Sequence, residues 1–176
     1  MQLKHLLEAI MKNIHPTKTI LDACCGTRQM WYDKQNPSAV YMDKFPRTFE
    51  DGMGRTLTCD PDIVGDFRNM PFDDNSFDLV VWDPPHISRA GQGHWITNKY
   101  GCADKETWET DLKSGFAECM RVLRPGGTLI FKWSDSELKI RKVLEIIGQN
   151  PVIGDRGKGP NCIWCIFYKM REASTK

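Results

Sequence analysis

Four consecutive residues, Asp83-Pro84-Pro85-His86, carry the strongest chemical signal in this sequence. They supply a hydrogen-bond acceptor, a rigid turn and a flat ring within a few ångströms of chain. Neither proline has an N–H, so any strand leading into them must stop at Asp83. An amine conjugated to a ring is a poor nucleophile because its lone pair is delocalised. Asp83 and the Pro84 carbonyl can both accept hydrogen bonds from such an amine, draw it towards tetrahedral geometry and aim its lone pair at a methyl group. His86 would stack on the ring that bears the amine. The chemistry indicated is a methyl transfer driven by positioning and electrostatics, with no covalent intermediate.

Further acids stand within or at the ends of other short apolar runs. Asp22 lies inside Thr19-Ile20-Leu21-Asp22-Ala23-Cys24, and the turn Cys24-Cys25-Gly26-Thr27 follows it. Small residues in such a turn let the backbone approach a ligand closely. Asp43 ends the next apolar run about twenty residues on, the expected place for a carboxylate that grips a ribose diol. Gly65-Asp66-Phe67 admits two readings: an acceptor and apolar face for an adenine ring, or an ordinary Asp-initiated turn.

Other candidate motifs reduce to structure. Cys162 and Cys165 have the spacing of half a zinc site, but positions three apart in a strand point to opposite faces, and no second Cys/His pair completes a site. They are read as structural thiols. Cys24 and Cys25 are read as small turn residues, not nucleophiles. No metal ligand set, no Ser/His/Asp arrangement and no phosphate-cradling loop with its lysine is apparent.

The elements that must position these residues can be traced along the chain. Leu3, Leu6, Leu7, Ile10, Met11 and Ile14 recur at helical spacing and predict a helix over 2–14, ended by Pro16. Short strands are expected at 19–24, 39–42 and around Ile63-Val64. The run Leu79-Val80-Val81-Trp82 has the continuous apolar character of a buried parallel strand. Residues 84 to 104 form a long connection with His86, Arg89, His94 and Lys99 beside Trp95 and Tyr100, and with no acid from Pro84 until Asp104. A loop of this kind is expected to be a functional lid or a disordered segment. Trp108, Leu112, Phe116, Cys119 and Leu123 predict a helix, stopped by Arg124-Pro125-Gly126-Gly127 before a strand at 128–133. Ser134, Asp135 or Ser136 should cap a helix bearing Ile140, Val143, Leu144 and Ile147. Two final strands, Pro151–Ile153 and Cys162–Tyr168, are joined by a Gly-rich turn. The fold class expected is α/β: a Rossmann-like, doubly wound, seven-stranded and mostly parallel sheet with a C-terminal antiparallel hairpin and helices on both faces.

At 176 residues the chain suits one domain, assigned to 1–170 with a polar tail at 171–176. A net charge of +1 gives no global pull on nucleic acid, so such a partner must meet a local patch. The N-terminus reads as an amphipathic helix rather than a leader peptide, and no apolar run reaches the length of a membrane span. The seven cysteines are therefore expected to be reduced thiols of a cytoplasmic protein.

From Thr19 to Tyr168 these pieces together resemble the class I S-adenosylmethionine-dependent methyltransferases. Ile20 to Arg28 is similar to the family's first motif, Asp43 to its ribose-binding acid and Gly65-Asp66-Phe67 to its adenine-contacting turn. Arg121 to Gly127 resembles the family's approach to the fifth strand. Asp83-Pro84-Pro85-His86 resembles the catalytic tetrapeptide of amino methyltransferases acting on adenine N6 and cytosine N4, as in small phage-type enzymes. The resemblance implies S-adenosylmethionine as methyl donor, held by Asp22, Cys24, Cys25, Gly26, Thr27, Asp43, Asp66 and Phe67. It implies Asp83, Pro84, Pro85 and His86 as the amine-presenting residues. Two departures stand out. Cys24 and Arg28 occupy places where the family usually has glycine, and His86 replaces the usual Tyr, Phe or Trp. The acceptor expected first is adenine N6 in DNA, met through the 84–104 loop and the 154–160 turn with Arg156 and Lys158. RNA bases, a protein glutamine amide and a non-catalytic cofactor- or nucleic-acid-binding role stay open.

Overall fold

The computed structural model describes residues 18–86, 104, 106–155 and 162–171. Nine strands are described: β1 (Ile20–Asp22), β2 (Ala39–Asp43), β3 (Arg47–Glu50), β4 (Thr56–Cys59), β5 (Ile63–Val64), β6 (Phe77–Trp82), β7 (Leu123–Ser134), β8 (Ile153–Gly154) and β9 (Cys162–Tyr168). Seven form one sheet in the order β5-β2-β1-β6-β7-β9-β8. Pairing is parallel from β5 through β7 and antiparallel for β7–β9 and β8–β9. The chain thus builds outward from β1 to one side, then returns to build the other side from β6. That reversal between β1 and β6 opens a crevice at the carboxyl ends of the strands, where ligands bind in open α/β sheets.

Two helices are described, α1 (Trp108–Val122) and α2 (Ile140–Ile147). Leu112, Phe116, Cys119 and Val122 recur every three or four residues and put one stripe of α1 into the core. They share a single apolar cluster with Val80 and Trp82 of β6, Leu129 and Phe131 of β7 and Phe167 of β9. Phe116 meets Phe167 edge-on with ring centroids 4.9 Å apart. Ile140, Val143 and Ile146 bury the matching face of α2. Asp135, one of the expected caps, accepts a hydrogen bond from the Ile140 N–H, and Gly148 ends the helix in the left-handed region at φ 75°.

Three features differ from the sequence reading. First, β3 and β4 form a separate antiparallel ribbon that was not anticipated. Asp51 organises its turn by accepting from the N–H groups of Met53 and Arg55 and from the Arg55 guanidinium. Second, α1 passes directly into β7 at Leu123 instead of being followed by a separate turn. Pairing with β6 nevertheless jumps from Phe77–Leu123 to Leu79–Thr128, so residues 124–127 bulge out, with Gly126 at φ 90°. Third, β8 is Ile153–Gly154 rather than the expected Pro151–Ile153, while β9 spans Cys162–Tyr168 as expected.

Cys162 is exposed and Cys165 buried, as opposite faces of a strand require, and both are free thiols. The expected helix at 2–14, residues 87–103 of the long connection and the basic residues Arg156 and Lys158 lie outside the described residues. Among the described residues, no helix is long and apolar enough to cross a membrane.

Candidate active site

A cavity of about 960 Å³ opens at the carboxyl ends of the central strands. Cys24, Cys25, Gly26, Thr27, Asp43, Asp66, Phe67, Asp83, Pro84, Pro85 and His86 all line it. These residues lie on four separate strand ends, and the parallel sheet is what brings them together.

The turn after β1 is built by backbone pairing on both sides. Ala23 N donates to Val81 O and Cys25 N to Met42 O, each at 2.9 Å. Gly26 then enters the left-handed region at φ 50°. Its N–H donates to Asp43 Oδ2 at 3.0 Å. Arg28, where the family resemblance expects a glycine, is itself left-handed at φ 55°. Its strain is offset by guanidinium hydrogen bonds to the carbonyls of Lys34 (2.8 Å) and Asp60 (2.7 Å) and by stacking 3.7 Å over the Tyr41 ring. The backbone path that a glycine would permit is therefore kept by an anchored arginine.

Asp22 behaves differently from the other acids. It is fully buried and does not line the cavity. It accepts from Trp31 Nε1 at 2.7 Å and from Cys24 N at 3.3 Å, so it braces the turn from behind. Burial pushes its pKa up to about 7, against the lowering effect of those two donors. The neighbouring Cys24 thiol is also pushed well up by burial, which agrees with its reading as a turn residue and not a nucleophile.

Asp43 holds three donors at once: Gly26 N, Phe45 N at 3.0 Å and Arg47 Nη1 at 3.1 Å. Asp66 is more heavily committed. Arg68 grips both its oxygens through Nε and Nη2, Lys44 bridges to Oδ2 at 2.9 Å, and Arg68 N donates to Oδ1 at 3.0 Å. These hydrogen bonds, led by the Arg68 guanidinium, hold its carboxyl well below the usual carboxylate range. With its lone pairs taken, Asp66 has little capacity to accept an adenine amino group in this conformation. Arg68 also reaches Asp111 of α1 at 2.9 Å, so Asp66 serves to clamp α1 over the cavity. Phe67 beside it presents an aromatic wall and packs on Trp82 at 5.8 Å between centroids.

Asp83 follows the last residue of β6, where the prolines end the strand. Its Oδ2 accepts from Lys132 Nζ of β7 at 2.6 Å. Its Oδ1 is buried with no hydrogen-bond partner among the described residues. A buried carboxylate oxygen left without a donor is costly, and in a cavity it marks a place where a ligand N–H would be stabilised. His86 sits with Nδ1 3.4 Å from the Pro84 carbonyl and its ring edge-on to Trp133 at 5.9 Å. Burial lowers its pKa below the ordinary histidine value, so the ring is neutral at pH 7.

Several cavity residues were not singled out from the sequence: Arg47 and Phe45 after β2, Trp108 and Asp111 on α1, and Lys132, Trp133 and Trp164 near the acceptor end. Only Lys132 left a trace, as a lone charge within an apolar strand. The others come from elements whose approach depends on tertiary packing.

The sequence matches no family model and no curated protein. Solved structures do share the fold. An N-methyltransferase, NodS from Bradyrhizobium japonicum WM9, superposes with a TM-score of 0.51 at 14% identity, covering 97% of this chain and 96% of its own. The PH0226 protein from Pyrococcus horikoshii OT3 gives 0.52 at 15% identity over 97% and 90% of the two chains. The chain shares the Rossmann-like α/β fold of these proteins.

Proposed function

We propose that this chain is an S-adenosylmethionine-dependent methyltransferase acting on an exocyclic amine of a nucleobase, with adenine N6 in DNA the first acceptor to test. The observation that carries this reading is Asp83: a carboxylate at the end of β6, tied by one oxygen to Lys132, with the other oxygen lacking a donor among the described residues. It lines the same cavity as Gly26 and Asp43, the residues suited to the donor side.

The residues present fit the methyl donor. Gly26 would allow close backbone approach, Asp43 could offer a carboxylate oxygen to its ribose, and Phe67 would give a flat apolar face. When bound, S-adenosylmethionine supplies an electrophilic methyl group on a sulfonium centre. The protein's part is to hold the acceptor. Asp83 and the Pro84 carbonyl take the amine's two N–H bonds, which localises the nitrogen lone pair, and Lys132 fixes the carboxylate's orientation. The amine nitrogen would take the methyl group as that group's bond to sulfur breaks, S-adenosylhomocysteine would leave as the neutral thioether, and the amine would lose one proton to water. Pro84 and Pro85 make this turn stiff, so its ordering entropy is already met before substrate arrives. A base within a duplex must leave the stack to reach the cavity.

The test is transfer of an isotopically labelled methyl group from S-adenosylmethionine to single-stranded DNA, duplex DNA and RNA. Digestion to nucleosides then identifies the labelled base. Label on adenine N6, higher for single strands than for duplex, is the expected outcome. Label confined to protein, or donor binding by calorimetry with no transfer to any nucleic acid, would overturn the nucleobase assignment.

A further inference from the structure

We infer that Lys132 reads the acceptor base, donating a hydrogen bond to the ring nitrogen next to the reacting amine, so that the Asp83–Lys132 pair recognises an amidine edge. This rests on the nucleobase reading above.

Lys132 is the charged residue in the strand run Thr128-Leu129-Ile130-Phe131-Lys132-Trp133, and both its sequence neighbours are buried. Its side chain is 19% exposed and that of Asp83 15%, and both line the cavity. An ammonium group has three N–H donors. One goes to Asp83 Oδ2, and among the described residues no other acceptor is recorded for it. Asp83 in turn has Oδ1 without a donor among the described residues. The pair therefore offers an acceptor, Oδ1, and a donor, the ammonium, side by side, with the 2.6 Å ion pair through Oδ2 fixing one against the other. Adenine carries its 6-amino group beside N1, and cytosine its 4-amino group beside N3. In each the amine and a ring acceptor are bonded to one carbon, the complement of what Asp83 and Lys132 present. Trp164 lies directly opposite Lys132 across the β7–β9 ladder, is 39% exposed and also lines the cavity, giving the base a flat wall next to that edge.

A lysine that only orients Asp83 would be indifferent to the ring nitrogen, and this separates the two roles. Single-stranded oligonucleotides containing adenine, 1-deazaadenine or 7-deazaadenine serve as probes, with 3-deazacytosine replacing cytosine if cytosine proves to be the labelled base. The 1-deaza ring keeps the amine and loses only the neighbouring acceptor. Loss of a hydrogen bond to a charged donor should lower kcat/KM about ten- to hundred-fold, while the 7-deaza change leaves it unaltered. Lys132→Met should slow adenine and no longer distinguish adenine from the 1-deaza base. Equal wild-type rates on adenine and 1-deazaadenine would overturn the inference while leaving the nucleobase reading intact, as would discrimination retained by Lys132→Met. Wild-type protein that labels neither adenine nor cytosine would overturn both. Should Lys132→Met fail to fold, the wild-type comparison decides alone.

Discussion

At Asp43 a single carboxylate ties together the turn after β1, the end of β2 and the start of β3, through Gly26, Phe45 and Arg47. Removing it should loosen the turn as well as delete a ribose contact. Asp43→Ala is expected to weaken S-adenosylmethionine binding by about tenfold or more, since charge-assisted hydrogen bonds are worth roughly 1.5–3 kcal/mol each. Unchanged affinity by calorimetry would show that the ribose site lies elsewhere. Asp22 makes a separate prediction about pH. Its folded pKa, raised from 3.8 to about 7, exceeds its unfolded value, so the native state holds the extra proton. Its contribution to stability is full below the unfolded pKa and is lost as pH rises from about 4 through about 7. Asp22→Asn should flatten this dependence, so thermal melts of wild type and variant should diverge steadily between pH 5 and 7.5. Parallel melting curves across that range would contradict the burial argument. At this scale the sequence was legible where chain neighbours supply the meaning, as in Asp83-Pro84-Pro85. It showed Lys132 only as a lone charge within an apolar run, with the partner 49 positions away hidden, and it could not show the full complement of donors that Asp66 takes in the folded chain.

Elements meet this site at close range, and α1 meets it most closely. A Cβ on Gly115 would stand 2.5 Å from the Phe67 ring and 2.6 Å from that of Trp82. The glycine lets the helix approach the wall of the cavity, and Arg68–Asp111 then locks it there. Gly115→Ala should lower stability by about 1–3 kcal/mol through overpacking and also weaken donor binding, because Phe67 must move. Gly148→Ala is the contrast. It meets no atom within 4 Å, and φ is 75° at this helix end. It should cost about 1 kcal/mol from backbone strain and leave donor affinity alone. Denaturant melts and calorimetry on both variants separate the two effects; equal donor affinity in both would remove α1 from the account. Helical periodicity made α1 and α2 readable. The β3–β4 ribbon was not, because its alternation is short and one turn residue, Asp51, supplies much of its organisation. The bulge at 124–127 was legible as Pro-Gly-Gly but not as part of a strand, since strand continuity there is set by pairing with Phe77 and Leu79.

The whole molecule is organised by the reversal of strand order between β1 and β6. That reversal sets the donor-side turn of β1 next to the Asp83 turn of β6 and lets β7 bring Lys132 alongside. Short apolar runs ending on or near Asp43, Asp66 and Asp83, with Asp22 inside the first, made the carboxyl ends of these strands readable, although the described residues place no helix before β6. A parallel sheet buried on both faces leaves few other ways to place such segments. If the acceptor is a nucleic acid, the net charge of +1 requires that it be held at a local patch, and the salt dependence of binding should report only the phosphates which that patch contacts. The central claim is that Asp83 presents a nucleobase amine for methylation. Its most direct test is mass spectrometry of DNA and RNA nucleosides from a host without DNA methylation, expressing either the wild-type chain or Asp83→Ala. N6-methyladenine in DNA that appears with wild type and vanishes with Asp83→Ala is the predicted result. No methylated nucleoside that depends on Asp83 would contradict it.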